Sequence, residues 1–146
     1  MTADTVFQIT TIISAVGWIV ILILSPFWMG FDKFVVGIVI VILEIIYTWL
    51  NVSNFDPTIL KKFSTLEGVA ELFQNKNLLT AAWVHILAFD LLAATWIKNN
   101  AVKNDIGHLA IIPALIFSCM LGPLGFLIYL FTRLLKTKNY FIENFS

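Results

Sequence analysis

The chain has 146 residues, 60% of them hydrophobic and 12% charged, against about 45–50% apolar and about 25% charged in ordinary soluble domains; a soluble fold of this length could not hide so much apolar surface. Nine Lys/Arg balance nine Asp/Glu and the cations are scattered, so no basic stripe is present to neutralise a phosphate backbone, which excludes nucleic acid as a partner. The single cysteine, Cys119, excludes an intramolecular disulfide or a Cys-x-x-Cys site and reads as a small hydrophobe. In lipid the remaining requirement is internal satisfaction of backbone hydrogen bonds, which favours helices.

Four apolar stretches, 6–24, 34–50, 78–97 and 111–129, are each close to the roughly 20 residues that cross a bilayer. They predict an all-α integral membrane bundle of four transmembrane helices forming one domain. The first is read as a retained helix, because Met1–Thr5 carries no positive charge and Ser25-Pro26-Phe27-Trp28 is a poor cleavage site. Several of Trp18, Trp28, Trp49, Trp83 and Trp96 fall near predicted helix ends, where indoles prefer the interface. The connection from Ser25 to Lys33 is short and holds proline and glycine, so the first two helices should be antiparallel neighbours.

The only long connection, 51–77, contains Leu66, Val69, Ala70 and Phe73 at helical spacing after Ser64-Thr65-Leu66-Glu67, a capping-box pattern. This predicts a short amphipathic interfacial helix over 64–75, packed across the mouth of the bundle. Lys61, Lys62 and Lys76 with Arg133, Lys136 and Lys138 outnumber Lys33, Lys98 and Lys103, which favours both termini in the cytoplasm.

Ionisable groups in the hydrocarbon are costly and mark functional sites by default. Glu44 and His85 are expected about 10 Å in from the same face, with Asp90 about 7–8 Å deeper. Glu44, Tyr47, Thr48 and Asn51 form one polar stripe on the second helix; on the third, His85 aligns with Trp96 and Asp90 with Trp83. His85 and Asp90 are roughly 140° apart around their helix and address different neighbours or opposite walls of one pocket. A carboxyl group removed from water favours its protonated form and acts as a general acid, while a neutral imidazole accepts a proton. The plainer alternative is that such groups only hydrogen-bond neighbouring helices.

Glu67 alone reads as a helix cap, His108 as a loop histidine and Arg133 as a snorkelling charge. Gly122-Pro123-x-Gly125 should loosen or kink the fourth helix. Two histidines are too few for a membrane di-iron centre, and His85 and His108 differ in depth by roughly 18 Å, too far to share a haem iron. Phosphate-loop, dinucleotide and hydrolase motifs are absent from the sequence. A site without cofactor is the simplest proposal, with a single metal held by His85 and carboxylates as the alternative.

Three blocks resemble the abscisic-acid-deficient-four-like family of small multi-pass membrane proteins: Phe63-x-x-Leu66-Glu67-Gly68-Val69-x-x-Leu72-Phe73, then Trp83-Val84-His85-x-Leu87-Ala88-Phe89-Asp90-Leu91 with Trp96-Ile97, then Pro113 and Gly122-Pro123-x-Gly125 with Tyr129 and Arg133. The resemblance implies a neoxanthin-synthase-like role, opening a carotenoid epoxide to an allenic alcohol without net redox change. The family's matching polar positions are Glu67, His85, Asp90 and His108; the expected catalytic residues are Asp90 or Glu67 as proton donor and His85 as proton acceptor, and the expected substrate-binding surface is Glu44, Trp83, Trp96, His108 and Tyr129. The chain lacks a transit peptide and resembles a compact bacterial-type member, so the expected location is a bacterial inner membrane. Expected partners are membrane lipid, a carotenoid or other isoprenoid and, possible for so small a bundle, further copies of the chain. The competing classes are a non-catalytic pigment-binding or assembly protein and a proton or small-ion conduit through Glu44, His85 and Asp90.

Overall fold

A computed structural model describes residues 1–27 and 30–138; Trp28 lies outside them. Among the described residues three helices are long and apolar enough to cross a membrane: α1 (Ala3–Leu24), α2 (Gly30–Ser53) and α5 (Lys76–Lys103). Between α2 and α5 lie two short helices, α3 (Ile59–Lys62) and α4 (Leu66–Leu72), and after α5 come α6 (His108–Leu121) and α7 (Pro123–Thr137). Among the described residues there is no strand.

Helix α5 is the central element. Val84, Ala88, Leu91, Ala94 and Ile97 are fully buried along it, and it packs against α1, α2, α6 and α7. Small residues allow close approach where no hydrophobic force acts between helices. A Cβ on Gly17 of α1 would lie 3.0 Å from the Leu91 methyls and 3.1 Å from Val39, so α1, α2 and α5 meet there without space to spare.

The fourth apolar stretch does not cross as one helix. At Gly122 the backbone turns to φ +36°, a region open chiefly to glycine, and Pro123 follows as the first residue of α7. α7 then folds back on α6: a Cβ on Gly125 would collide with the backbone of Ala114 and Ser118. The expected kink is therefore a full reversal, and 111–129 is a helical hairpin. α6 has 14 residues, a run of about 21 Å, which carries its end back along α5 from the level of Lys103 to that of Asp90, where Gly122 meets the Asp90 carboxyl. On the return, Phe126 packs on Trp96 and the Tyr129 hydroxyl donates to Asn100 Oδ1 at 2.6 Å.

This reversal corrects the expected placement of the termini. Asp4 reaches Lys76 at the start of α5, at 3.5 Å, whereas α7 climbs toward the other end of α5. Met1 and Lys138 lie at opposite ends of the bundle, because same-face termini require a fourth crossing.

The connection over the bundle also differs from its expected form. The helical run is Leu66–Leu72, capped by Thr65, whose hydroxyl accepts from the Gly68 N–H; Ser64 instead donates to the Lys61 carbonyl. Glu67 is thus one position early for a capping box. The buried side runs through Leu72 with Gly68 and Val69 half-buried, while Leu66 is 79% exposed. α3, which the periodicity did not predict, fixes that phase: Gly68 lies so close to the Lys62 carbonyl that a Cβ would collide, and Lys62 reaches Glu71 at 2.8 Å.

Candidate active site

The hairpin stops halfway, so α5 is flanked differently along its two halves. α1 and α2 pack along it on both halves; from Asp90 to Lys103 it also has α6 and α7 beside it, whereas from Lys76 to Asp90, about 21 Å of helix, it shares a cavity with residues of the α3–α4 cap instead. His85 is consequently exposed on the uncovered side, with Ile86 and Phe89, and Asp90 is half-buried at the hairpin tip.

His85 stacks on Phe89 with ring centroids 4.5 Å apart and faces Tyr47 of α2 at 5.4 Å. It lines a cavity of about 280 Å³ with Tyr47 and Asn51 of α2, Leu78, Ala81 and Ala82 of α5, and Ile59, Phe63, Leu72 and Phe73 of the cap. The cap is held over this cavity by the capped α4, the Lys62–Glu71 ion pair, and a hydrogen bond from Asn77 Nδ2 to Asn54 Oδ1 that ties the start of α5 to the end of α2.

The other expected residues disperse. Glu67 is exposed on α4 and does not line the cavity, because Thr65 capping turns the Leu72 side inward. Glu44 lines a separate groove on the outer side of α2 with Thr48 and Trp49, while Tyr47 and Asn51 of the expected stripe face His85. Trp83 donates to Thr11 Oγ1 at 3.2 Å and packs on Phe7, committed to α1. Trp96 and Tyr129 belong to the α5–α7 contact, Tyr129 being wholly buried. His108 Nε2 engages the Leu22 carbonyl at 3.1 Å, at the opposite end of α5 from His85. Glu44, His85 and Asp90 share no direct hydrogen bond with one another among the described residues. Nor do three His, Cys, Asp or Glu side chains converge among the described residues, and the alternative of a single metal at His85 lacks a ligand set.

Sequence reasoning missed one polar feature. Lys98, placed just beyond the third predicted helix, is buried inside α5 and paired with Asp32 Oδ2 at 2.5 Å. A charge buried in this setting requires a partner, and the acid at the start of α2 stands at the matching depth; that equal offset was the available signal. Arg133 is likewise buried instead of snorkelling. A second cavity, about 420 Å³, lies at this end between Ser25, Lys98, Asp105 and His108.

No solved structure matches the chain. It is 28% identical over 107 residues to a curated protein of Arabidopsis thaliana, "Protein ABA DEFICIENT 4, chloroplastic", covering 68% of this chain and 47% of that protein, so the chain spans about half the length of that relative. The sequence model of the family described as ABA DEFICIENT 4-like matches residues 5–129, most of the chain and every element that shapes the His85 cavity and the hairpin tip, and the chain belongs to that family.

Proposed function

We propose that this protein is a membrane-embedded isomerase acting on a carotenoid or related isoprenoid, with Asp90 as proton donor and His85 as proton acceptor. The observation that carries this reading is the half-length hairpin: it ends at Asp90, whose half-buried carboxyl meets Gly122, and leaves His85, about one and a half turns away, exposed beyond the hairpin tip, so that both groups border the region where the covering of α5 changes. The two lie ~7.5 Å apart along the helix axis, a spacing suited to acting on separate atoms of one bound molecule. Neither side chain has a hydrogen-bond partner among the described residues, so both are free to engage a ligand. Membership of the ABA DEFICIENT 4-like family supports the same reading.

In an epoxide opening of this type the protonated Asp90 carboxyl gives its proton to the epoxide oxygen as the C–O bond breaks. His85 takes a proton from a neighbouring carbon, and the electron pair left there forms the new double bond. The product is an isomer of the substrate, no electron leaves the system, and proton return from His85 to Asp90 resets the site. Glu67, exposed on α4, has no part in this step.

The test is conversion of a ring-epoxidised carotenoid by protein in liposomes, read by chromatography and mass spectrometry as a product of unchanged mass. His85→Ala and Asp90→Asn should each abolish conversion while retaining wild-type helical content and membrane insertion. Conversion by both variants overturns the assignment. Pigment that co-purifies with wild type but never changes structure favours a binding role over an enzymatic one.

A further inference from the structure

The outer side of α2 carries a carboxyl group that the rest of the bundle leaves without company. Glu44 sits about 14 Å from the end of α2 at Ser53, close to the middle of a hydrocarbon core about 30 Å thick. It lines the outer groove together with Ile45, Thr48, Trp49 and Val52. Among the described residues the Glu44 carboxyl has no hydrogen-bond partner, and neither has the indole N–H of Trp49, a side chain 52% exposed. Polar groups left unpaired in hydrocarbon are costly, and acyl chains can pair neither of them.

The side chains of this face follow a definite period. Within the regular helical stretch Val41–Ser53, Val41, Ile45, Thr48 and Val52 succeed one another at intervals of four, three and four. At 100° per residue they fall within an arc of about 60°, the seam of a two-stranded coiled coil with its 3.5-residue repeat. All four are exposed, so the seam has no partner helix within the chain. Glu44 lies on one flank of it and Trp49 on the other, the positions that choose the partner and its direction in coiled coils.

Two copies inserted in one orientation and using the same face meet about a twofold axis along the membrane normal, so their α2 helices run parallel. In such a pair the Glu44 flank of one helix adjoins the Trp49 flank of the other, and symmetry makes that contact twice. An indole N–H only donates, and a carboxyl oxygen accepts. One face of this chain therefore supplies both halves of the bond, and a second copy supplies the complementary halves at the matching depth.

We propose that the protein forms a parallel homodimer through α2, in which Val41, Ile45, Thr48 and Val52 pack on their equivalents and Glu44 of each protomer accepts a hydrogen bond from the indole N–H of its partner's Trp49. The groove that holds Glu44 is then an interface between copies, separate from the acid–base step.

The test uses the full chain in liposomes, in a Cys119→Ser background that removes the single native cysteine. Ile45→Cys and Val52→Cys, on the seam, should each be recovered mostly as disulfide-linked dimer after mild oxidation, whereas Ile12→Cys, 65% exposed on α1, should give almost none. Energy transfer between labelled copies, followed as lipid dilutes the protein, reads the dissociation constant. Glu44→Leu and Trp49→Phe should each weaken dimerisation roughly tenfold, the scale of two interhelical hydrogen bonds lost together, and the double variant should be no weaker than either single one. Glu44→Gln, whose side-chain oxygen still accepts, should retain most of the affinity, and every variant should keep wild-type helical content. Equal cross-linking at positions 12 and 45, or energy transfer no higher than random proximity gives, overturns the dimer. Cross-linking at position 45 with an affinity indifferent to both Glu44→Leu and Trp49→Phe overturns the proposed pairing.

Discussion

Removing the ammonium of Lys98 while keeping Asp32 should destabilise the bundle sharply. The two side chains are 3% and 12% exposed and meet at 2.5 Å, and Asp32 Oδ1 is buried without a hydrogen-bond partner among the described residues. Lys98→Met therefore strands a carboxylate that already lacks half of its partners, at a cost of about 3–5 kcal/mol, the range for breaking a buried pair from one side. Replacing both ends by apolar residues of similar size removes the desolvation penalty along with the attraction and should be close to neutral or stabilising by about 1–4 kcal/mol. Unfolding by SDS in mixed micelles, followed by far-UV circular dichroism, compares wild type, Lys98→Met, Asp32→Leu and the double variant. Each single variant should unfold at clearly lower SDS, and the double variant should recover most of the loss. A double variant that loses the sum of its singles would refute the reasoning, because the charges would then not be compensating each other.

Gly122→Ala should destabilise the hairpin by about 1–2 kcal/mol from its left-handed backbone alone, and further because the new Cβ would come within 2.5 Å of Asp90 Oδ1; the same SDS titration reads it, and adding Asp90→Ala should recover only the steric part. Tyr129→Phe leaves Asn100 Oδ1 without its 2.6 Å donor and should cost about 1 kcal/mol with no change in helical content. In a Cys119→Ser background, a cysteine at Thr2 and one at Lys138 should be labelled by a membrane-impermeant maleimide from opposite sides of sealed vesicles; labelling of both from one side would refute the hairpin.

The three long helices were legible because twenty-residue apolar runs carry their own explanation in hydrocarbon, and α1, α2 and α5 contain the expected runs with ends extended by a few residues. Hydropathy alone could not separate one crossing helix from two half-length ones in 111–129, since composition is the same in both. The discriminating residues were Gly122, Pro123 and Gly125, read as a kink; what makes them a reversal is the contact of Gly125 with Ala114 and Ser118, a tertiary fact. The phase of α4 was missed for a similar reason. Leu66 fits the apolar period, but packing against α3 through Gly68 rotates it outward. At the site, helical phase correctly separated His85 from Asp90, while Glu44 and Glu67 could be placed only by knowing which side of α2 and α4 the neighbours occupy. Tyr47 and Asn51 were visible as members of a polar stripe; that they, and not Glu44, face His85 follows from where α5 crosses α2.

The hairpin has a consequence for which leaflet feeds the protein. With the chain returning to the Lys103 end of the bundle, Lys33, Lys98, Lys103, Arg133, Lys136 and Lys138 gather there, six of the nine cations, against Lys61, Lys62 and Lys76 at the other end. With the buried Lys98 and Arg133 set aside the sign is unchanged, four against three. If the proposed reading holds, the positive-inside bias, which favoured cytoplasmic termini for a four-crossing chain, would orient the α3–α4 cap and the His85 cavity toward the outer leaflet, and a lipid-borne substrate would be drawn from the layer facing away from the cytoplasm.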